Sequence, residues 1–160
     1  MIGMVSADEF LGHAERPGRF YLPTDGVYEE AIRQLADWRQ RGLDLQVSVN
    51  MSANDLLSDD LVGYVMKLLK QYALPAEQLV FEIAESAVMS EPEKALIVLH
   101  RLRDCGISLS VDDVGTGYSS LAHLKRLPVQ ELKIDQAFAR NLDATSEDAV
   151  IVRSAVGMRP

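Results

Sequence analysis

Residues 107–120 read Ile107-Ser108-Leu109-Ser110-Val111-Asp112-Asp113-Val114-Gly115-Thr116-Gly117-Tyr118-Ser119-Ser120. Ile107 to Val111 is a short strand-like run that ends in two adjacent carboxylates, and a glycine-bearing turn follows. A strand that stops in this way is built to hold cations at its end, because hard cations take carboxylate oxygens. Three other strand-like runs carry polar groups that can converge on the same point: Asn50 after Leu45 to Val49, Glu82 and Glu85 in Leu79 to Glu85, and Lys133 in Leu132 to Asp135.

Working outward, Ala31, Ile32, Leu35 and Trp38 recur at helical spacing within Val27 to Arg41, and Gly42 is a natural stop. Asn54 to Tyr72 carries Leu57, Leu61, Val65, Leu68 and Leu69 on one stripe and predicts a second helix, ended by Leu74-Pro75. Ser90 with Glu93 reads as a capping box with Pro92 in the first turn, and Leu96, Leu99 and Leu102 carry that helix to Gly106. Leu79 to Ala84 reads as the second strand and Glu131 to Ile134 as the fourth, and further helices are expected from Ser119 to Lys125 and from Ser146 to Val156.

Strands alternating with helices at these spacings imply parallel strands joined by right-handed crossovers, so the class is α/β. Side chains alternate between strand faces. Glu82, Asp112 and Lys133 therefore lie opposite their apolar neighbours Phe81, Ile83, Val111, Leu132 and Ile134. A doubly wound sheet buries both faces in apolar layers, so one consistently polar face argues for a barrel interior with chemistry at its C-terminal mouth. Four such strands are readable, which gives an incomplete TIM-type (β/α) barrel.

At 160 residues, 48% hydrophobic and 25% charged, the chain has length and composition for one domain with a real core. A net charge of −8 provides no basic footprint for a nucleic-acid polymer, while a small anionic ligand bridged by metal ions is compatible with it. Cys105 is the single cysteine, which excludes an internal disulfide framework and fits a small, buried apolar role in a reducing compartment. Met1 to Phe10 already carries Asp8 and Glu9 and does not read as a secretory signal. No run approaches membrane-spanning length, and the expected location is the cytoplasm.

Asn50, Glu82, Asp112 and Asp113 are hard oxygen donors that suit Mg²⁺ or Mn²⁺ better than zinc. His13, His100 and His123 have no paired histidine or cysteine at ligand spacing. Adjacent aspartates point in different directions and can serve neighbouring metals about 3.5–4 Å apart, as in two-metal phosphoryl chemistry. Lys133 would orient or deprotonate the attacking water, or hold a phosphate oxygen. Glu85 reads as a ligand or as a hydrogen-bonding support for the loop Val114 to Ser120, with the loop favoured, and Asp135 as the ion-pair partner of Lys133. An Asp-Asp pair alone is as well explained by a solvated capping loop. Three agreeing strand ends weigh against that. A receiver-type phosphoacceptor pocket would need a further strand end between the acidic pair and the lysine, and none intervenes. Asn50-Met51-Ser52 matches a glycosylation acceptor but has little weight without a secretion signal.

Val49-Asn50-Met51-Ser52, Phe81-Glu82-Ile83-Ala84-Glu85-Ser86, Asp112-Asp113-Val114-Gly115-Thr116-Gly117-Tyr118-Ser119-Ser120-Leu121 and Leu132-Lys133-Ile134-Asp135 resemble, in order, successive motifs of the EAL-domain cyclic di-GMP phosphodiesterases. The resemblance implies a barrel that hydrolyses cyclic di-GMP to the linear dinucleotide pGpG with two Mg²⁺ or Mn²⁺ ions. By it, Asn50, Glu82 and Asp112 bind the first metal, Asp113 binds the second, Lys133 serves the nucleophilic water, and Glu85 steadies the loop after the aspartates. Departures are also visible. Met4 to Leu11 resembles the segment after the family's first strand, so the Glu-Ala-Leu signature with its metal-binding glutamate is not seen. The sequence stops at Arg159-Pro160, before the strand that bears a further metal-binding glutamate. Ala84 stands for the usual threonine and Val114 for the usual phenylalanine. The expectation is a single truncated EAL domain over residues 1–160, inactive or weak by itself and assembling as a homodimer or larger oligomer through unpaired edges. The alternative is a degenerate module that binds cyclic di-GMP or another protein.

Overall fold

The structure is a computed structural model that describes residues 23–114 and 125–134. The order of elements is helix α1 (Pro23–Gln40), strand β1 (Val47–Met51), a 3₁₀ turn (Asp55–Leu57), α2 (Leu61–Gln71), a second 3₁₀ turn (Ala76–Gln78), β2 (Leu79–Ala84), α3 (Glu85–Ser90), α4 (Pro92–Asp104), β3 (Ser108–Val114) and β4 (Glu131–Ile134). The four strands are all parallel and lie in the order β1-β2-β3-β4. A doubly wound sheet reverses its strand order partway. This one does not, and simple succession of parallel strands is barrel order.

The apolar face is continuous. Phe81, Ile83 and Val111 are 0% exposed, and Val49, Met51 and Leu109 are buried beside them. The helices supply the other half of the core through Tyr28, Ile32, Leu35, Val65, Leu69, Val98, Leu99 and Leu102. Burying such side chains stabilises a fold by about 1.5–3 kcal/mol each before chain entropy is counted. Two helices end in the same way. Gly42 takes φ +80° as the Leu43 N–H bonds the Trp38 carbonyl at 3.0 Å, and Gly106 takes φ +89° as the Ile107 N–H bonds Leu102 at 3.2 Å. This left-handed residue, natural for glycine, lets the chain reverse into the next strand.

Several boundaries differ from expectation. β1 begins and ends two residues later than Leu45 to Val49, because its register pairs Val47 through Met51 with Leu79 through Ile83. Asn50 is thus inside the strand. β3 continues to Val114, so Asp112 and Asp113 belong to the strand too. The single helix expected from Asn54 to Tyr72 is split: Ser58-Asp59-Asp60 separates the 3₁₀ turn from α2, as expected for side chains that compete for backbone hydrogen bonds. Ser90 does not cap the following helix. It ends the unforeseen short helix α3, where its hydroxyl donates to the Ala87 carbonyl at 2.8 Å, and α4 starts at Pro92 after Glu91. Cys105 is free and half-buried against the core. The expected helices at 119–125 and 146–156, His13, His123 and Asp135 lie outside the described residues, except Lys125, which sits in a turn.

Candidate functional site

Register places the polar side chains in rows. Asn50 pairs with Glu82, and Glu82 with Ser110, so these three form one row across β1, β2 and β3; Asp112, opposite Ala84, is one row nearer the strand ends. Their face is the one turned away from Phe81, Ile83 and Val111.

Asp112 and Asp113 sit at an irregularity. Val111 pairs with Leu132 and Val114 with Ile134, so three steps on β3 match two on β4. The extra residue is a bulge. Asp113 takes φ +57°, and its N–H donates to Asp112 Oδ1 at 2.9 Å. The left-handed conformation costs most L residues energy, and aspartate tolerates it better than most. The kink leaves Asp112 half-buried and Asp113 exposed, so the two carboxylates face different surroundings.

Lys133 Nζ donates to Glu82 Oε1. β2 and β4 are not neighbours; β3 lies between them. With strands about 4.8 Å apart, the pair must reach across roughly 10 Å of sheet, which takes two long side chains. Ser110 is level with Glu82, and Lys133, two residues past Ser110's partner Glu131, is level with the Asp112–Asp113 bulge, so the bridge runs diagonally across β3. The hydrogen bond that Lys133 donates to Glu82 raises the pKa of Lys133, burial opposes the shift, and the charges of Glu82, Glu131 and Asp112 add to it. Lys133 is therefore a cation and a donor. Asp135, expected to be its partner, lies outside the described residues.

Glu85 opens α3 directly after β2 and is 2% exposed. A carboxylate so buried at a strand-to-helix junction is in place to fix neighbouring backbone, whereas Asn50 and Asp113 reach solvent. Among the described residues, no three His, Cys, Asp or Glu side chains gather closely enough to hold a metal ion. The donor chemistry still fits a hard divalent ion: Asn50 and Glu82 are adjacent in register, Asp112 is one row above, and all are oxygen donors.

Three residues of this region were not singled out in the sequence. Asp55 is 5% exposed, and its Oδ2 accepts from the Tyr28 hydroxyl (2.8 Å), the Ser52 N–H (2.8 Å) and the Ser52 hydroxyl (2.6 Å). This fixes the turn that leaves β1 two residues beyond Asn50. Ser52-x-x-Asp55 is a capping-type spacing and could have been found. Tyr28 also meets Phe81 edge-on, with ring centroids 5.2 Å apart, so α1 braces the strands that carry Asn50 and Glu82. Ser110 is fully buried, and among the described residues its Oγ has no hydrogen-bond partner.

Comparison with known proteins agrees with this geometry. The EAL domain profile matches residues 2–159. The chain is 38% identical over 157 residues to the bifunctional diguanylate cyclase/cyclic di-GMP phosphodiesterase MucR of Pseudomonas aeruginosa, covering 98% of this chain and 23% of that protein. It is 39% identical over 157 residues to the cyclic di-GMP phosphodiesterase NbdA of the same organism, covering 98% and 20%. It thus spans about a fifth to a quarter of the length of these curated relatives. Among solved structures, the PaMucR phosphodiesterase in its c-di-GMP complex superposes with a TM-score of 0.77 at 38% identity, over 96% of this chain and 67% of that one. The EAL domain of Mycobacterium smegmatis DcpA gives 0.74 at 33% identity, over 85% and 62%. Parallel barrel order, polar strand rows and a profile match along nearly the whole length concur: the chain belongs to the EAL domain family.

Proposed function

We propose that this chain forms part of a cyclic di-GMP phosphodiesterase site that opens the cyclic dinucleotide to linear pGpG. The observation that carries the reading is the polar face itself: Asn50, Glu82, Asp112 and Lys133 share one side of a parallel sheet, and Lys133 bonds Glu82 across β3. The MucR and NbdA names and the c-di-GMP complex of PaMucR support the substrate.

Mg²⁺ or Mn²⁺ would be held by Asn50, Glu82 and Asp112 at one position and by Asp113 at the other. When bound, such ions neutralise phosphate charge and acidify water. Lys133, a donor fixed beside Glu82, would hold the attacking water or a phosphate oxygen in line. Glu85 would keep the loop after Asp113 in place. The bulge aims the two carboxylates apart, as two neighbouring cations require.

Titration of the protein with Mn²⁺ and cyclic di-GMP in a calorimeter, followed by chromatography for pGpG, tests the reading. Saturable binding with pGpG release supports it. Binding without release favours a ligand-binding module, for which the engagement of Glu82 by Lys133 is the supporting observation. No binding of either species overturns both. Self-association is part of the proposal and is read from the mass in light scattering at micromolar concentration. So is a cytoplasmic location; no helix among the described residues is long and apolar enough to cross a membrane.

A further inference from the structure

We propose that Ser110 is a positioning residue of the cation site, its hydroxyl holding a water molecule of the divalent ion's hydration shell; the inference rests on the phosphodiesterase reading above. Ser110 is 0% exposed, and its Oγ has no hydrogen-bond partner among the described residues. It is the register partner of Glu82, in the row that Asn50 begins, and it stands two residues before Asp112 on the same strand face. Its hydroxyl is thus next to two of the three candidate ligands and outside the apolar layer of Leu109 and Val111.

Size alone does not account for serine here. The Lys133–Glu82 bridge crosses β3 beside Ser110, and alanine would leave it as much room without burying an unpaired hydroxyl, which destabilises a fold. The oxygen must therefore gain something from a bound species. Direct ligation would add a second neutral donor beside Asn50 and displace a water from the ion. Mg²⁺-like ions instead keep several waters, each a strong donor that a hydroxyl accepts well, and groups that steady metal ligands from behind set affinity by about 10–100-fold.

The test is Ser110→Ala in the whole chain, with two readings that move in opposite directions. Without divalent ions its thermal midpoint should rise by roughly 2–4 °C, and its Mn²⁺ affinity by calorimetry should fall about 10–100-fold. A merely structural serine would change the midpoint and leave Mn²⁺ binding within twofold, and that result overturns the proposal. Ser110→Cys, which keeps the volume with a poor hydrogen-bonding atom, should also lose affinity and serves if the alanine variant does not fold. Asp112→Asn separates the two levels of argument. If it weakens Mn²⁺ binding and both Ser110 variants do not, only the Ser110 role is lost. If the parent binds no Mn²⁺, or Asp112→Asn leaves binding unchanged, the cation site itself falls, and the Ser110 role with it.

Discussion

The Tyr28 hydroxyl on α1 donates to the buried Asp55 carboxylate at 2.8 Å, joining two residues 27 apart in sequence at the turn that leaves β1. The carboxylate is the common acceptor of that turn, because Ser52 gives it both its N–H and its hydroxyl. Tyr28→Phe keeps the ring against Phe81 and removes one donor from a buried charge. We expect a loss of about 1–3 kcal/mol. Asp55→Ala strands three donors and should cost more than Tyr28→Phe. Urea denaturation ranks the two variants, and equal midpoints for parent and Tyr28→Phe would show that water replaces the hydroxyl.

Phe81 and Ile97 offer a contrast in burial. Phe81 is 0% exposed beneath Tyr28, whereas Ile97 is 61% exposed on α4. Phe81→Ala should destabilise by about 3–5 kcal/mol through lost burial and a cavity. Ile97→Ala should stay within about 0.5 kcal/mol. Comparable losses in the two denaturation curves would mean that the outer face of α4 is covered.

At Asp113, backbone and charge can be separated. Asparagine tolerates the left-handed conformation at φ +57°, so Asp113→Asn should keep stability within about 0.5 kcal/mol while weakening Mn²⁺ binding. Asp113→Val combines the lost charge with strain of about 1–2 kcal/mol. If valine proves as stable as asparagine, the bulge relaxes readily.

Lys133 and Asp112 should differ in kind. Asp112→Asn removes charge from the proposed cation site, and Mn²⁺ affinity and turnover of cyclic di-GMP should decline together. Lys133→Ala removes a donor assigned to water or phosphate, worth on the order of 10²–10⁴ in rate, with metal affinity within a few-fold of the parent. Steady-state hydrolysis beside Mn²⁺ titration distinguishes them, and near-parental turnover in Lys133→Ala would show that its role has been misassigned.

What could be read from the sequence followed the strength of local signals. Leu79–Ala84 and Glu131–Ile134 were placed to the residue, and the opposition of Glu82 to Phe81 followed from alternation alone. β1 was misplaced by two residues, since Leu45 and Gln46 extend its pattern and only pairing with β2 decides where it starts. The break after Leu57 was hidden because the leucine stripe continues through it in phase, while the competing bonds at Asp55 come partly from Tyr28, far away in sequence. Lys133 was joined to the nearby Asp135, which lies outside the described residues; its bond to Glu82, 51 residues distant, had no local signal. Ser110 carried no signal. One serine in an apolar run acquires meaning only when its neighbours on two other strands are known.

The extra residue in β3 also constrains how this stretch can change by insertion and deletion. Val114 is buried and pairs with Ile134, on the apolar side with Val111 and Leu132, only because one residue between them is uncounted by β4. Removing Asp113 by deletion would restore plain alternation, keep Val114 on the apolar side opposite Ile134, and take away the bulge together with the second acid. A one-codon loss here is therefore unlike any substitution: it removes an acid and the bulge at once and leaves the phase of the strand intact.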